Sequence, residues 1–120
     1  MASHNELGRV GEECAAAYLA NSGYTILEKN YRFDRAEVDL ICQFEQELVV
    51  VEVKTRQSTY LAGPEETVTL SKQKSIIKAV NQYIRENEID LECRFDIISI
   101  LLNKKEFQLD HLEDAFYPTC

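Results

Sequence analysis

The chain has 120 residues, 45% of them hydrophobic and 28% charged, with only four glycines and two prolines. That balance excludes a disordered or low-complexity chain, and the length suits one domain that buries a sufficient core without disulfides or a metal as staples. With 13 basic and 21 acidic side chains the net charge is -8, which excludes a histone-like cationic coat but leaves room for a local basic site.

The first predicted element is a helix over residues 4–21. Ser3 and Glu6 fit a capping box, Leu7, Val10, Cys14, Ala17 and Tyr18 form an apolar stripe, and Asn21-Ser22-Gly23 supplies a stop. Tyr24 to Phe33 is rich in β-formers but alternates poorly. Ala36 to Phe44 and Glu47 to Thr55 are strongly apolar strands flanking Glu45-Gln46, and should form a hairpin. The run Leu48-Val49-Val50-Val51 has no polar face, as expected of a strand covered by helices on both sides.

Residues 57–64 read as loop, with Gly63-Pro64 as punctuation. Ser71 then reads as the N-cap of a second helix, with Ile76, Ile77, Val80, Tyr83 and Ile84 on its apolar face and an end near Asn87. Arg94 to Leu102 and Glu106 to Leu112 are two more strands around an Asn103-Lys104-Lys105 turn. The order is α-β-β-β-α-β-β, an α/β layer architecture. No apolar run is long enough to cross a bilayer and no secretory leader is evident, so a cytoplasmic location without membrane contact is expected. Cys14, Cys42, Cys93 and Cys120 are scattered without a C-x-x-C pair, so they read as free thiols.

Asp39, Glu52 and Lys54 are charged residues inside segments that otherwise read as buried strand, where charge is rare unless paired or bound to a metal. A hairpin turning between Glu45 and Gln46 places Asp39 directly opposite Glu52, with Cβ atoms about 4.5–5.5 Å apart. Two like charges so close call for a cation between them. Hard oxygen ligands favour Mg²⁺ or Mn²⁺, and Lys54 would project from the same face as Glu52. The same register also sets Glu37 opposite Lys54, so a purely structural cross-strand ion pair is the competing explanation. Glu12 lies on a small, apolar helix row with Gly8, Ala15, Ala16 and Leu19, and could face the same site; an exposed carboxylate near the helix N-terminus is its alternative. The cations available to meet a phosphate backbone are Arg32, Arg35, Arg56, Lys72, Lys74 and Lys78. Asp96 and His111 read as structural.

The strings Gly8-Arg9-Val10-Gly11-Glu12, Gly23-Tyr24-Thr25-Ile26-Leu27, Asn30-Tyr31-Arg32, Glu37-Val38-Asp39-Leu40-Ile41, Val51-Glu52-Val53-Lys54-Thr55-Arg56, Arg94-Phe95-Asp96, and His111-Leu112 with Ala115-Phe116 resemble the YraN-like family of uncharacterised bacterial proteins. The resemblance covers nearly the whole chain. That family is in turn similar in pattern to the PD-(D/E)xK nuclease superfamily, which includes restriction endonucleases and Holliday junction resolvases with an α-β-β-β-α-β core. Two positions depart from the pattern: Val38 stands where the superfamily has Pro, and Ala36 where YraN-like sequences usually have Gly.

The resemblance implies a metal-dependent endonuclease with Glu12, Asp39, Glu52 and Lys54 as catalytic residues. It implies Mg²⁺ or Mn²⁺ held by Asp39, Glu52, the Val53 carbonyl and Glu12, and DNA, including branched DNA, as partner through Arg32, Arg56, Lys74 and Lys78. A homodimer is left open, because relatives that cut junctions use two sites. The alternative is a catalytically inactive nucleic-acid-binding or interaction module of the same fold.

Overall fold

The computed structural model describes residues 4–57 and 68–116. Helix α1 (His4–Asn21) is followed by β1 (Thr25–Phe33), β2 (Ala36–Phe44), β3 (Glu47–Arg56), α2 (Leu70–Glu86), β4 (Glu92–Leu102) and β5 (Phe107–Phe116). The strands form one sheet in the order β1-β2-β3-β4-β5. All neighbours are antiparallel except β3 and β4, which run parallel and are bridged by α2. A parallel pair cannot be closed by a tight turn, so a crossover helix is the natural connection. This mixed α/β arrangement has the element order read from the sequence and is compatible with a restriction-endonuclease-like core, with β5 added at one edge.

Two apolar layers hold it together. Leu48 and Val50 of β3 pack with Ile41, Phe95 and Ile97 against Ile76, Ala79, Val80 and Tyr83 of α2. Val49 and Val51 pack with Leu40, Cys42, Ile98 and Ile100 against Ala15, Ala16 and Leu19 of α1. The polar-free run in β3 is therefore buried on both faces, as its composition requires. Gly23, at φ 93°, ends α1 in the left-handed conformation that a side chain would resist.

Several boundaries differ from the sequence reading. The N-cap of α2 is Thr69, not Ser71: the Thr69 hydroxyl accepts the Lys72 amide N–H at 3.1 Å. Ser71 sits inside the first turn instead. The last strand runs on to Phe116, and the poor alternation of β1 reflects a register shift between Ile26 and Glu28. Cys14, Cys42 and Cys93 are free, with Cys42 fully buried. Ser3, Cys120 and residues 58–64 of the expected loop lie outside the described residues. Among the described residues no helix is long and apolar enough to cross a membrane.

Candidate active site

The hairpin register sets the centre of the site. β2 and β3 pair from Phe44↔Glu47 through Leu40↔Val51, in the register expected from a two-residue turn. Beyond Leu40 the backbone ladder gives way to a side chain. Asp39 Oδ2 accepts the Val53 N–H at 2.8 Å, taking the place of a strand-to-strand bond. The Val53 carbonyl, which in a strand points to the same side as its N–H, also faces β2.

Glu52 is only 2% exposed. Lys72 of α2 brings Nζ to 3.5 Å from Glu52 Oε2, while Oε1 is buried and meets no hydrogen-bond donor among the described residues. Two register steps along, beside Lys54, the Ser99 hydroxyl is likewise buried without a partner among the described residues. Asp39 and Glu52 line a cleft of about 410 Å³ together with Arg35, Ala36, Glu37, Lys72, Ser75 and Ile76.

Burial pushes the Glu52 carboxyl up to about 8, the Asp39 charge adds to the rise, and Lys72 and Lys54 oppose it. Asp39 is also raised, again first by burial, although the Val53 N–H and a hydrogen bond with the Glu52 carboxyl pull the other way. The two carboxyls thus favour sharing one proton over carrying two charges. Lys54 is shifted down by burial and by the neighbouring Lys72 ammonium. Burial also works against the charge on Lys72, but Glu52 and Lys54 outweigh it and the net shift is upward.

Glu12 reaches the rim of this centre because α1 lies unusually close to β3. A Cβ at Gly11 would stand 1.9 Å from Thr55 Oγ1 and 2.9 Å from Thr55 Cβ, so only glycine permits this approach. Asn30, in β1 at φ 53°, bridges Glu12 to Glu37: with its amide nitrogen turned toward the acids it donates to Glu12 Oε1 at 2.8 Å and to Glu37 Oε1 at 3.1 Å. Partial burial and the charges of Asp39 and Glu37 raise Glu12. Among the described residues no three acidic, histidine or cysteine side chains close into a metal cage.

The structure brings Asp39, Glu52, Val53 and Lys54 together and sets Glu12 beside them. The expected phosphate-binding cations are dispersed. Arg32 pairs with Glu37 at 2.9 Å and Lys78 with Asp34 at 3.3 Å, while Lys74 is exposed on α2 and Arg56 ends β3, half-buried. None of these four lines the cleft. The β2–β3 ladder ends at Leu40↔Val51, so neither the Asp39–Glu52 nor the Glu37–Lys54 pairing is part of it; Glu37 pairs with Arg32 of β1 on the other side of β2.

Sequence reasoning missed Asn30 and Glu37 as members of the cluster and treated Lys72 only as one of several surface cations. A signal for Lys72 existed. A lysine in the first turn of a helix opposes the macrodipole, and that turn of α2 has no acidic residue to compensate it.

Asp96 and His111 form a separate, structural network. Asp96 is fully buried, takes two hydrogen bonds from Arg94 at 3.0 and 2.9 Å, and lies 2.7 Å from His111 Nε2. Burial works to raise Asp96, but His111 and Arg94 outweigh it and hold the carboxyl below its ordinary range.

The sequence pattern of the uncharacterised protein family UPF0102 matches residues 11–100, which carry Glu12, Asp39, Glu52 and Lys54. The chain belongs to that family. A UPF0102 protein of Flavobacterium psychrophilum is 49% identical over 117 residues, covering 98% of each chain. UPF0102 proteins of Bacteroides thetaiotaomicron and Phocaeicola vulgatus are 47% and 45% identical, again over 98% of each chain. The family's description assigns no activity.

Proposed function

We propose that the protein is a metal-dependent endonuclease that hydrolyses DNA phosphodiester bonds, with branched DNA in repair or recombination as one candidate substrate. The observation that carries this reading is the buried Glu52 next to the half-buried Asp39, with Lys54 and Lys72 beside them. Burial of Glu52 next to a second, half-buried carboxylate is unfavourable for a structural pair, and Glu52 Oε1 meets no N–H donor among the described residues. Hard oxygen donors fit Mg²⁺ or Mn²⁺: Asp39, Glu52 and the Val53 carbonyl would hold the ion, and Glu12 would reach it through water. A bound divalent cation would supply positive charge against the scissile phosphate and acidify a water.

The chain's own groups do the rest. Lys54, beside Glu52 on the same strand, orients the attacking water and meets the negative charge that develops on the phosphate oxygens. Arg35 and Ser75, at the wall of the cleft, position the phosphate. Arg32, Arg56, Lys74 and Lys78 track the flanking backbone, Arg32 and Lys78 exchanging Glu37 and Asp34 for phosphate. On a four-way junction two cuts need two such sites, which a homodimer would provide.

A second reading has a specific observation behind it. Arg32 and Lys78 are already neutralised by acids, and the whole chain carries -8, which favours an inactive binding or interaction module. Incubating the purified protein with duplex, single-stranded, flap and four-way-junction DNA in Mg²⁺ or Mn²⁺ separates the two. Endonuclease action predicts cleavage of at least one substrate that Glu52→Ala abolishes. Uncut DNA throughout, with binding indifferent to metal and to Lys54→Ala, would replace it with the second reading.

A further inference from the structure

Lys72 occupies an unfavourable place. It is the third residue of α2 after the Thr69 cap, where the helix end is electropositive and no acidic side chain shares the turn. Its compensating partner comes from across the cleft: Glu52 Oε2, 3.5 Å from Nζ. The lysine side chain is 40% exposed, so its ammonium can swing toward solvent, whereas the Glu52 carboxylate is fixed at 2%. The second Glu52 oxygen, Oε1, is buried and meets no N–H donor among the described residues, and Glu52 lines the cleft. A doubly charged ion on this carboxylate and an ammonium at contact distance would repel each other strongly at the low effective dielectric of the cleft.

We infer that Lys72 is an internal counter-ion that competes with a divalent cation for Glu52, and that cation entry releases its ammonium toward the phosphate-binding side of the cleft. This rests on the metal-site reading of Asp39 and Glu52. Each partner in such an exchange alters the affinity of the other: a phosphate that receives the released ammonium strengthens cation binding, and a cation strengthens phosphate binding. Metal then loads most tightly when a phosphate is present.

Titration calorimetry with Mn²⁺ alone, on the full chain and on Lys72→Met and Lys105→Met, tests this. Lys105 is exposed in the turn between β4 and β5, so its removal measures the general effect of deleting one charge. Competition predicts roughly tenfold tighter Mn²⁺ binding for Lys72→Met and a change of no more than about twofold for Lys105→Met, whose charge is screened. A second readout uses the wild-type chain: acetylation of lysines by an amine-reactive ester, mapped by mass spectrometry, should rise several-fold at Lys72 on adding Mn²⁺ and stay constant at Lys105. Equal or weaker Mn²⁺ binding by Lys72→Met, or unchanged labelling of Lys72, overturns this inference alone. No Mn²⁺ binding by any of the three proteins overturns the metal-site reading and this inference with it.

Discussion

Glu52→Gln keeps the side-chain shape and removes the charge at the most deeply buried point of the site. The native carboxyl is raised from 4.5 to about 8, so the folded protein holds its proton more tightly than the unfolded chain does. The contribution to stability is therefore fully present below about pH 4.5 and is lost as pH rises to about 8. Each pH unit across that window corresponds to about 1.4 kcal/mol. Asp39 and Lys72 share the response, so a gain of about 2–3 kcal/mol at pH 8 is the working figure for the glutamine variant. In a domain of this size that is roughly 10 °C in Tm. Thermal unfolding with EDTA at pH 5 and pH 8 measures it directly: the variant should gain little at pH 5 and most at pH 8. Saturating Mn²⁺ should narrow or reverse the gap, because only the wild type gains binding energy. A gain that is the same at both pH values, or a variant less stable than wild type at pH 8, would refute the placement of a strained, buried charge at Glu52.

Two glycines in α1 should respond oppositely to alanine. Gly8 has open space where a Cβ would go, so Gly8→Ala should stabilise by up to about 1 kcal/mol. Gly11→Ala would collide with Thr55 and should destabilise by about 1–3 kcal/mol; equal urea midpoints for the two would show that α1 does not press on β3 at Gly11. Arg94→Met leaves the buried Asp96 carboxylate without its main cation, and should destabilise by about 3–5 kcal/mol in urea unfolding. Because the Asp96 carboxyl is held low, the stability it contributes is present above its ordinary range and is lost on acidification, so the Arg94→Met penalty should shrink toward pH 3.

The hairpin was legible because its register follows from a two-residue turn and a one-residue slip would turn the apolar set outward. That single constraint brings Asp39 beside the Glu52–Val53 stretch of β3, where it meets the Val53 N–H just past the end of the ladder at Leu40↔Val51. Glu12 was legible as a carboxylate on a small, apolar helix row, whereas Gly11 was visible only as part of a family string and not as the contact that sets the depth of α1. Contacts between elements far apart in the chain were harder to read. Lys72 meets Glu52 only because α2 crosses between β3 and β4, and moving its cap from Ser71 to Thr69 changes where each early side chain stands. Asn30 belongs to the acidic cluster through a left-handed backbone position inside a strand, a local irregularity that composition does not announce. The cations chosen from the sequence fared differently for a simple reason: a lysine or arginine is free to meet an acid nearer than any ligand, as Arg32 and Lys78 do.

Calorimetric titration of Mg²⁺ and Mn²⁺ into wild type and Asp39→Asn, with and without a short DNA duplex, tests the paired-carboxylate centre most directly. Saturable binding by wild type, strengthened by DNA and lost in Asp39→Asn, is the predicted result. Binding that survives in Asp39→Asn, or none in either protein even with DNA present, would contradict it.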